Sequence, residues 1–592
     1  MTKPELVHHA VGTRTKSSHY RSIPSPRNAN NDNPRTSWKE QLRKASITIS
    51  ILLVVALTMW GALTYYNARR NSPSNVLANT VERIYTIGYQ NRAKANIEKK
   101  KKSEQYTMDN MLIEANPFGT NTTSLYAYFV TPQLMSVSYT VSAPETNYPS
   151  YTHTVSTLAQ RGRTHEFQVV GLVPSAKNVI TFTMTDVDGN SQTRQYTYNM
   201  GDLLGNEPIQ LSVKNLQQGT PSDVQSPGMN GLYAVMPQNT GRTNFVYMYD
   251  SNGILRGEIP LKNSPATRFI SVQDQTCYAV STTQFACVDK LGAVQNFFNF
   301  DGRYRLYGDF TTDSDGNIIA IATNGSTHDR TKEVGTYIVR INILNGRMRV
   351  LANLATLLNS YRTTTVGRTI TADGTSADSA WNWLDLDSIA ALDNQHFLLS
   401  SRETSSILTL DVSDSPSITS IIGPASLWND PKYSYLVMKK DGNFADFAGQ
   451  NDIQVSNITS SGYTLTLFNN NYAYSPSNPT FNWTNAIPSA SQRFQATTSE
   501  AHSYVYTYQV NTQTHTYSMV SSLTVPYTAL NGNAHFSGNA LLTTDTQAGT
   551  WTLWHRDGTP LIQYDTHGVN NGDSTATPLN TLYRVQYMPV NR

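Results

Sequence analysis

Residues 245–259 read FVYMYDSNGILRGEI. Two apolar runs flank Asp250-Ser251-Asn252-Gly253, and the glycine supplies the positive φ that a tight hairpin turn demands. The unit is therefore strand, turn, strand. It returns in other letters as FACVDKLGAVQNF at 285–297, TTDSDGNIIAIA at 311–322, TYIVRINILNGRMRVL at 336–351 and WTLWHRDGTPLIQY at 551–564, with further turns at Asp289 to Gly292, Asn345-Gly346 and Asp557-Gly558. Such hairpins, repeated irregularly over about 385 residues, predict an all-β chain. About six blades of a β-propeller fit that length better than a sandwich or a parallel solenoid, and the mouth of the central channel is where a site is expected.

Upstream, residues 116–205 hold SLYAYFV, SVSYTVSA, HEFQVVGL and VITFTMTDVDGNSQTRQYTY, several strands with a DG turn at Asp188, which predicts a small β-sandwich. Pro117 and Gly119 end a different pattern. Between Val76 and Lys102, Val81, Ile84, Ile87 and Tyr89 recur at roughly helical spacing, so 67–115 is expected as a helical stalk whose Lys99 to Lys102 run is solvated. The run Ile47 to Tyr66, ITISILLVVALTMWGALTYY, carries no charge and ends in Trp60, Tyr65 and Tyr66. That is the length and the interfacial aromatic signature of a membrane-spanning helix, expected over 46–66. A signal peptide has a shorter apolar run and a small-residue cleavage site. The tail 1–45 is expected to be disordered and basic, and 206–592 to form the propeller.

Of 592 residues only 15% are charged, while 39% are hydrophobic and 10% aromatic, so disorder along the whole chain is excluded. The formal net charge of +3 conceals a split: residues 1–105 hold 18 Lys/Arg against 6 Asp/Glu, and the rest of the chain is acidic. The bulk of the protein lacks the basic stripe of a nucleic-acid binder, so nucleic acid is not expected as a partner. Arg27, Arg35, Lys39, Arg43 and Lys44 precede the apolar run, against Arg69, Arg70 and Arg83 after it. The expectation is a single-pass cell-membrane protein with a cytoplasmic amino terminus and an extracellular bulk. The two cysteines, Cys277 and Cys287 in TCYAVSTTQFACVD, fall on a hairpin that can place them side by side; outside the cell they are expected to pair, with two isolated thiols as the alternative.

NPFGTNTTSLYAYFVTP (116–132), VVGLVPSAKNVI (169–180), FVYMYDSNGILRGEI, NWLDLDSIAALDNQHFLLSSRETSSI (382–407) and VMKKDGNFADFAGQND (437–452) resemble, in this order, the bacterial aryl-sulfate sulfotransferase family. The resemblance runs from about Glu104 to the carboxyl terminus. It implies a six-bladed propeller behind a β-sandwich, moving a sulfuryl group from an aryl sulfate to a phenol through a histidine nucleophile, with no nucleotide donor and no cofactor. Further histidines, an asparagine and an arginine support that nucleophile in the channel, as an anion in flight requires.

Position by position, the family's Trp-x-His-x-Asn-Ser corresponds to Trp383-Leu384-Asp385-Leu386-Asp387-Ser388. Its Ser-Ser-Arg is Ser400-Ser401-Arg402, its nucleophile-bearing Gly-Gln-His is Gly449-Gln450-Asn451, and an earlier His-His-acid motif is Tyr307-Gly308-Asp309. Each expected histidine is replaced. A carboxamide at Asn451 is no nucleophile toward sulfur, and carboxylates at 385 and 387 place negative charge where an aryl sulfate must sit; two like charges a few ångströms apart repel by about 1 to 4 kcal/mol. Of the other histidines, His396 and His555 sit by turns, and His535, in NGNAHFSGN, is the best substitute, although a lone histidine near a turn is more often a surface residue.

Three function classes follow: a catalytically degenerate surface propeller that binds a phenolic, aryl-sulfate or cell-surface ligand; a family enzyme with an altered mechanism using Asp385 or Asp387 as acid or base; and a cation site built from Asp309, Asp385, Asp387 and Asp452. Capping and solvated turns account for the same aspartates equally well. The aromatic stretches NYAY (471–474) and YVYTY (504–508) are expected to be strand residues packing between blades, in preference to rings that stack on sugars or phenols.

Overall fold

The computed structural model describes residues 58, 72–205, 207–216, 231–238, 243–367, 380–497, 499–537, 540–566 and 582–588. Among them no helix is long and apolar enough to cross a membrane, and the expected span Ile47 to Tyr66, apart from Thr58, lies outside them.

The chain is all-β apart from short helices. In the amino-terminal part an 18-residue strand, Leu125–Ser142, serves two sets of partners. Its first half pairs with Leu112–Ala115 and Gly162–Val169, its second half with Tyr151–Thr154 and Lys177–Thr185, and the register breaks between Val130 and Met135. Alternation along these strands turns Phe129, Tyr139, Phe167 and Phe182 to one interior, where Phe167 meets the other three rings at centroid distances of 6.1 to 6.3 Å.

The segment expected as a stalk forms two helices, Pro73–Ile84 and Ile87–Lys101, the second capped by the Thr86 side chain accepting from Tyr89 N. They do not stand free. Val81, Ile84, Tyr85, Gln90, Ala93 and Ile97 are buried, Tyr85 Oη donates to Pro260 O at 2.7 Å, and Gln90 Oε1 accepts from Val294 N at 3.2 Å. Residues Leu112–Ala115, placed in the stalk by the sequence reading, are a strand of the sheet. Spacing revealed the helices but not their docking, which rests on the polar handles of Tyr85 and Gln90. The Lys99–Lys102 run is partly used as well: Lys100 pairs with Glu114, and Lys101 with Glu98 and Glu166.

Beyond residue 206 the described residues form six small sheets of four or five strands in succession, antiparallel but for one short strand. Four are simple meanders begun by Phe269–Val272, Tyr304–Thr312, Leu386–Ala391 and Asn451–Thr459, the last extended by a short parallel strand, Lys439–Lys440. The first and last exchange chain ends. Leu582–Met588, from the carboxyl end, pairs with Leu232–Pro237 of the first sheet, and Ser212–Asn215, from before the first sheet, pairs with Pro560–Asp565 of the last. The starting strands of successive sheets pack side by side from Phe269–Val272 through Asn533–Ser537 to Leu582–Met588. The remaining gap is bridged by Gln586, which accepts from Phe269 N at 3.0 Å and donates to Phe269 O at 2.8 Å.

The hairpin turns follow one recipe. Asp250 Oδ1 accepts from Asn252 N and Ile254 N at 2.8 and 3.0 Å while Gly253 turns at φ 72°, and Asp289 and Asp313 repeat the arrangement. Cys277 and Cys287 lie directly opposite on neighbouring strands, with Cα atoms 4.0 Å apart, and form a disulfide. Loop entropy assigns so short a closure about 2 to 3 kcal/mol. YVYTY falls in a strand with Tyr506 and Tyr508 buried, whereas NYAY, expected as strand, lies outside the strands with Asn471, Tyr472 and Ala473 buried and Tyr474 half-buried.

Candidate functional site

The starting strands bring the expected site residues to one place. Asp309 lies in Tyr304–Thr312, Asp387 in Leu386–Ala391 with Asp385 just before it, Arg402 follows His396–Ser401, and Asn451 opens Asn451–Thr459. Asp385, Arg402 and Asp309 all act electrostatically on Asp387. The backbone is strained at two points: Asp385, just before its strand, and Asp452, at the register shift that opens Asn451–Thr459, take φ of 48° and 43°, a region non-glycine residues enter at a cost.

Each charge there is already engaged. Arg402, 6% exposed, donates from Nε to Asp385 Oδ2 at 2.7 Å, from Nη2 to Glu403 Oε1 at 3.0 Å and from Nη1 to Tyr474 O at 3.4 Å. Burial works against its charge, but Asp385 and Glu403 outweigh that and raise its pKa. Asn451, where the resemblance puts a nucleophile, is buried, and its Oδ1 accepts from Asp452 N at 2.8 Å.

Two arginines absent from the sequence reading complete the cluster. Arg268 Nη2 stands 3.1 Å from Asp309 Oδ2 and 2.9 Å from Asp452 Oδ1; Arg584 Nη1 stands 3.4 Å from Asp309 Oδ1, and its Nη2 stands 3.3 Å from Asp452 Oδ1. Two cations and two carboxylates thus interlock. Arginines occupy the space between aspartates that the cation-site reading reserved for a metal, and among the described residues no group of three or more His, Cys, Asp or Glu is placed to hold one. The available signal for Arg584 was one charged residue inside the apolar run LYRVQYM.

Asp387 differs from its neighbours. Its carboxylate oxygens are buried, and that burial pushes its pKa well above the usual carboxylate range; the Ser400 hydroxyl and Arg402 pull the other way without prevailing. Dehydration therefore works against the second negative charge expected here. A carboxyl whose folded pKa is raised releases its proton more readily unfolded, so stability declines as pH climbs from about 4 through the folded value. Asp387→Asn should abolish this decline. The Tm gap between variant and parent should widen in the variant's favour from about pH 4 to 7; an unchanged gap would show that Asp387 is solvated.

His535, expected near the surface, lines a cavity of about 170 Å³ with Arg268, Asp452, Gln454, Asn533 and Arg584. Burial lowers its pKa to about 4, which Asp452 only partly opposes. A second cavity, of about 250 Å³, is bordered by apolar groups including Val170, Met248, Phe269 and Tyr278, and none of the cluster's charged residues reaches it.

The family described as Arylsulfotransferase (ASST) matches residues 218–568, and its Arylsulfotransferase Ig-like domain matches residues 112–201. The chain belongs to the arylsulfotransferase family. The second match covers the sheet built on Leu125–Ser142, and the first covers the charged cluster except Arg584. No curated relative matches. Among solved structures, a putative 6-phosphogluconolactonase from Bacteroides fragilis is similar at 11% identity over 76% of this chain and 98% of that one, with a TM-score of 0.31. Apo AztD from Citrobacter koseri is similar at 10% identity over 76% and 97%, with a TM-score of 0.23. Family membership rests on the sequence matches.

Proposed function

We propose that this arylsulfotransferase family member is a six-bladed β-propeller on a small sandwich, anchored in the cell membrane by 46–66 with its bulk outside, and that it binds a ligand in its channel without transferring sulfuryl groups. Six successive small sheets, an exchange of chain ends between first and last, and starting strands in sequential contact support the propeller. A disulfide suits an oxidising exterior. Protease added to intact cells should then remove everything beyond the apolar run, and full protection until lysis would reverse the topology.

The observation that carries the loss of transfer is Asn451, a carboxamide whose oxygen is held by Asp452 N–H. Covalent transfer needs a side chain with a usable lone pair facing the leaving phenolate, and free positive charge for the moving anion. Arg402 is committed to Asp385 and Glu403, and Arg268 and Arg584 to Asp309 and Asp452. Incubated with an aryl sulfate, the purified protein should gain no sulfuryl mass and release no phenol above background, and Asn451→His alone should not restore either. Stoichiometric labelling in an intact-mass measurement would overturn this reading. Asp387, a buried acid whose pKa is raised by its dehydration, supports the second reading of altered acid catalysis, and phenol release that disappears in Asp387→Asn would establish it.

A further inference from the structure

The apolar cavity of about 250 Å³ lies where three parts of the chain meet. Val170, just after Gly162–Val169, lines it from the amino-terminal sheet; Met248, Ile259 and Met588 line it from the first small sheet, and Phe269 and Val288 from the second. This is the junction at which the starting strands are joined by the Gln586 side chain, through its two bonds to the Phe269 backbone. At the other junctions strand packs on strand. Here apolar side chains border a space instead, although protein interiors are otherwise close-packed.

The lining makes no polar demand. Gln168 Nε2 donates to Ser124 Oγ at 2.8 Å, Thr120 Oγ1 donates to Gly292 O at 2.5 Å, and the Tyr278 hydroxyl is hydrogen-bonded to that of Tyr85 at 3.2 Å. Among the described residues no buried side-chain nitrogen or oxygen of this lining lacks a partner. A charged or strongly polar occupant would lose its hydration with nothing in exchange. An aromatic one meets wall rings that are already matched: Tyr278 packs on Phe269 at 5.1 Å between centroids and edge-on to Tyr85 at 6.5 Å, and Tyr587 meets Tyr233 at 5.7 Å. What is left open is aliphatic wall, in which Met248 and Met588 are unbranched and adjust to an irregular partner. Gln273, Asp274 and Lys290 of the lining are exposed, which places the mouth on their side and gives it both signs of charge.

We propose that this cavity binds an uncharged aliphatic chain, with its apolar body between the three parts and any polar end at the mouth. An engineered apolar cavity of about 150 Å³ holds benzene, so a chain of about six carbons fits here. The bound chain supplies across this junction the packing that strand contact supplies at the others, and so holds the first and second small sheets together. The site is separate from the charged cluster and does not depend on what the channel binds.

The full chain, reconstituted in lipid nanodiscs and ¹³C-labelled at its methionine methyls, tests this through the Met248 and Met588 resonances, assigned with Met248→Leu and Met588→Leu. The probes are 1-hexanol, 1,6-hexanediol and benzyl alcohol, compared at equal free concentration. Hexanol should move both resonances saturably. Hexanediol, which must bury a hydroxyl without a partner, should bind about tenfold more weakly or worse, and benzyl alcohol no more tightly than hexanol. Val170→Phe and Val288→Phe each put a ring into the space from a different wall. In whichever of them folds, hexanol binding should fall by about tenfold or more while the unliganded Tm rises, because a filled void packs better. No saturable shift with hexanol, hexanediol binding as well as hexanol, benzyl alcohol as the tightest ligand, or undiminished binding in a folded filled variant would overturn the proposal. The titration of the parent chain decides it even if neither filled variant folds.

Discussion

Replacing Arg584 by methionine is expected to cost about 3 to 5 kcal/mol of stability, which is what breaking a buried ion pair by removing one partner costs. The stem of the side chain is largely retained, so the loss is electrostatic rather than a cavity. Asp309, with none of its surface exposed, would keep only Arg268 and the Ile389 N–H at 3.3 Å. Asp309→Asn added to Arg584→Met should recover a substantial part of the loss, because the stranded carboxylate is then gone. Chemical denaturation of the parent, both single variants and the double variant gives the coupling. Strictly additive losses would mean that the four charges do not act as a unit. The effect is also one of closure, since Arg584 lies on the carboxyl-terminal strand that completes the first sheet.

What could be read from sequence divides by distance along the chain. The turns Asp250 to Gly253 and Asp289 to Gly292 were legible because an aspartate accepting two backbone N–H groups and a glycine of positive φ lie within a few residues of each other. The Cys277–Cys287 pair was legible for the same reason. The exchange of chain ends was not, because nothing in LYRVQYM says that its partner lies some 350 residues earlier. The cluster was half legible. Asp309, Asp385, Asp387, Arg402 and Asn451 came from motifs, and the structure brings them together. Arg268 and Arg584 stand in no motif, and their role appears only when Phe269–Val272 and Leu582–Met588 meet across Gln586. Asp387 shows the limit most sharply: its type was legible, but its protonation depends on a dehydration that no local pattern encodes.

A second large effect is expected at Arg256, near the start of the strand Leu255–Leu261. Its side chain is fully buried and joins both parts of the chain: Nε donates to Asp250 Oδ2 at 2.8 Å within the first small sheet, while Nη1 reaches Gly171 O at 3.0 Å and Nη2 reaches Pro149 O at 2.5 Å in the amino-terminal part. The neighbouring backbone is fitted to this contact. Gly171 has φ of 96°, and a Cβ there would lie 2.2 Å from the Tyr151 ring, over which the guanidinium sits at 5.7 Å. Only a planar fork with several donors satisfies one carboxylate and two carbonyls at once, so Arg256→Lys should rescue little of what Arg256→Ala loses. Either change leaves the buried Asp250 short of a partner and the carbonyls of Gly171 and Pro149 short of a donor, for a loss of about 3 to 5 kcal/mol. Because the lost bonds cross between the two parts, the variant should unfold in two calorimetric steps where the parent shows one. A single transition displaced by less than about 1 kcal/mol would mean that the docked helices, rather than Arg256, hold the parts together.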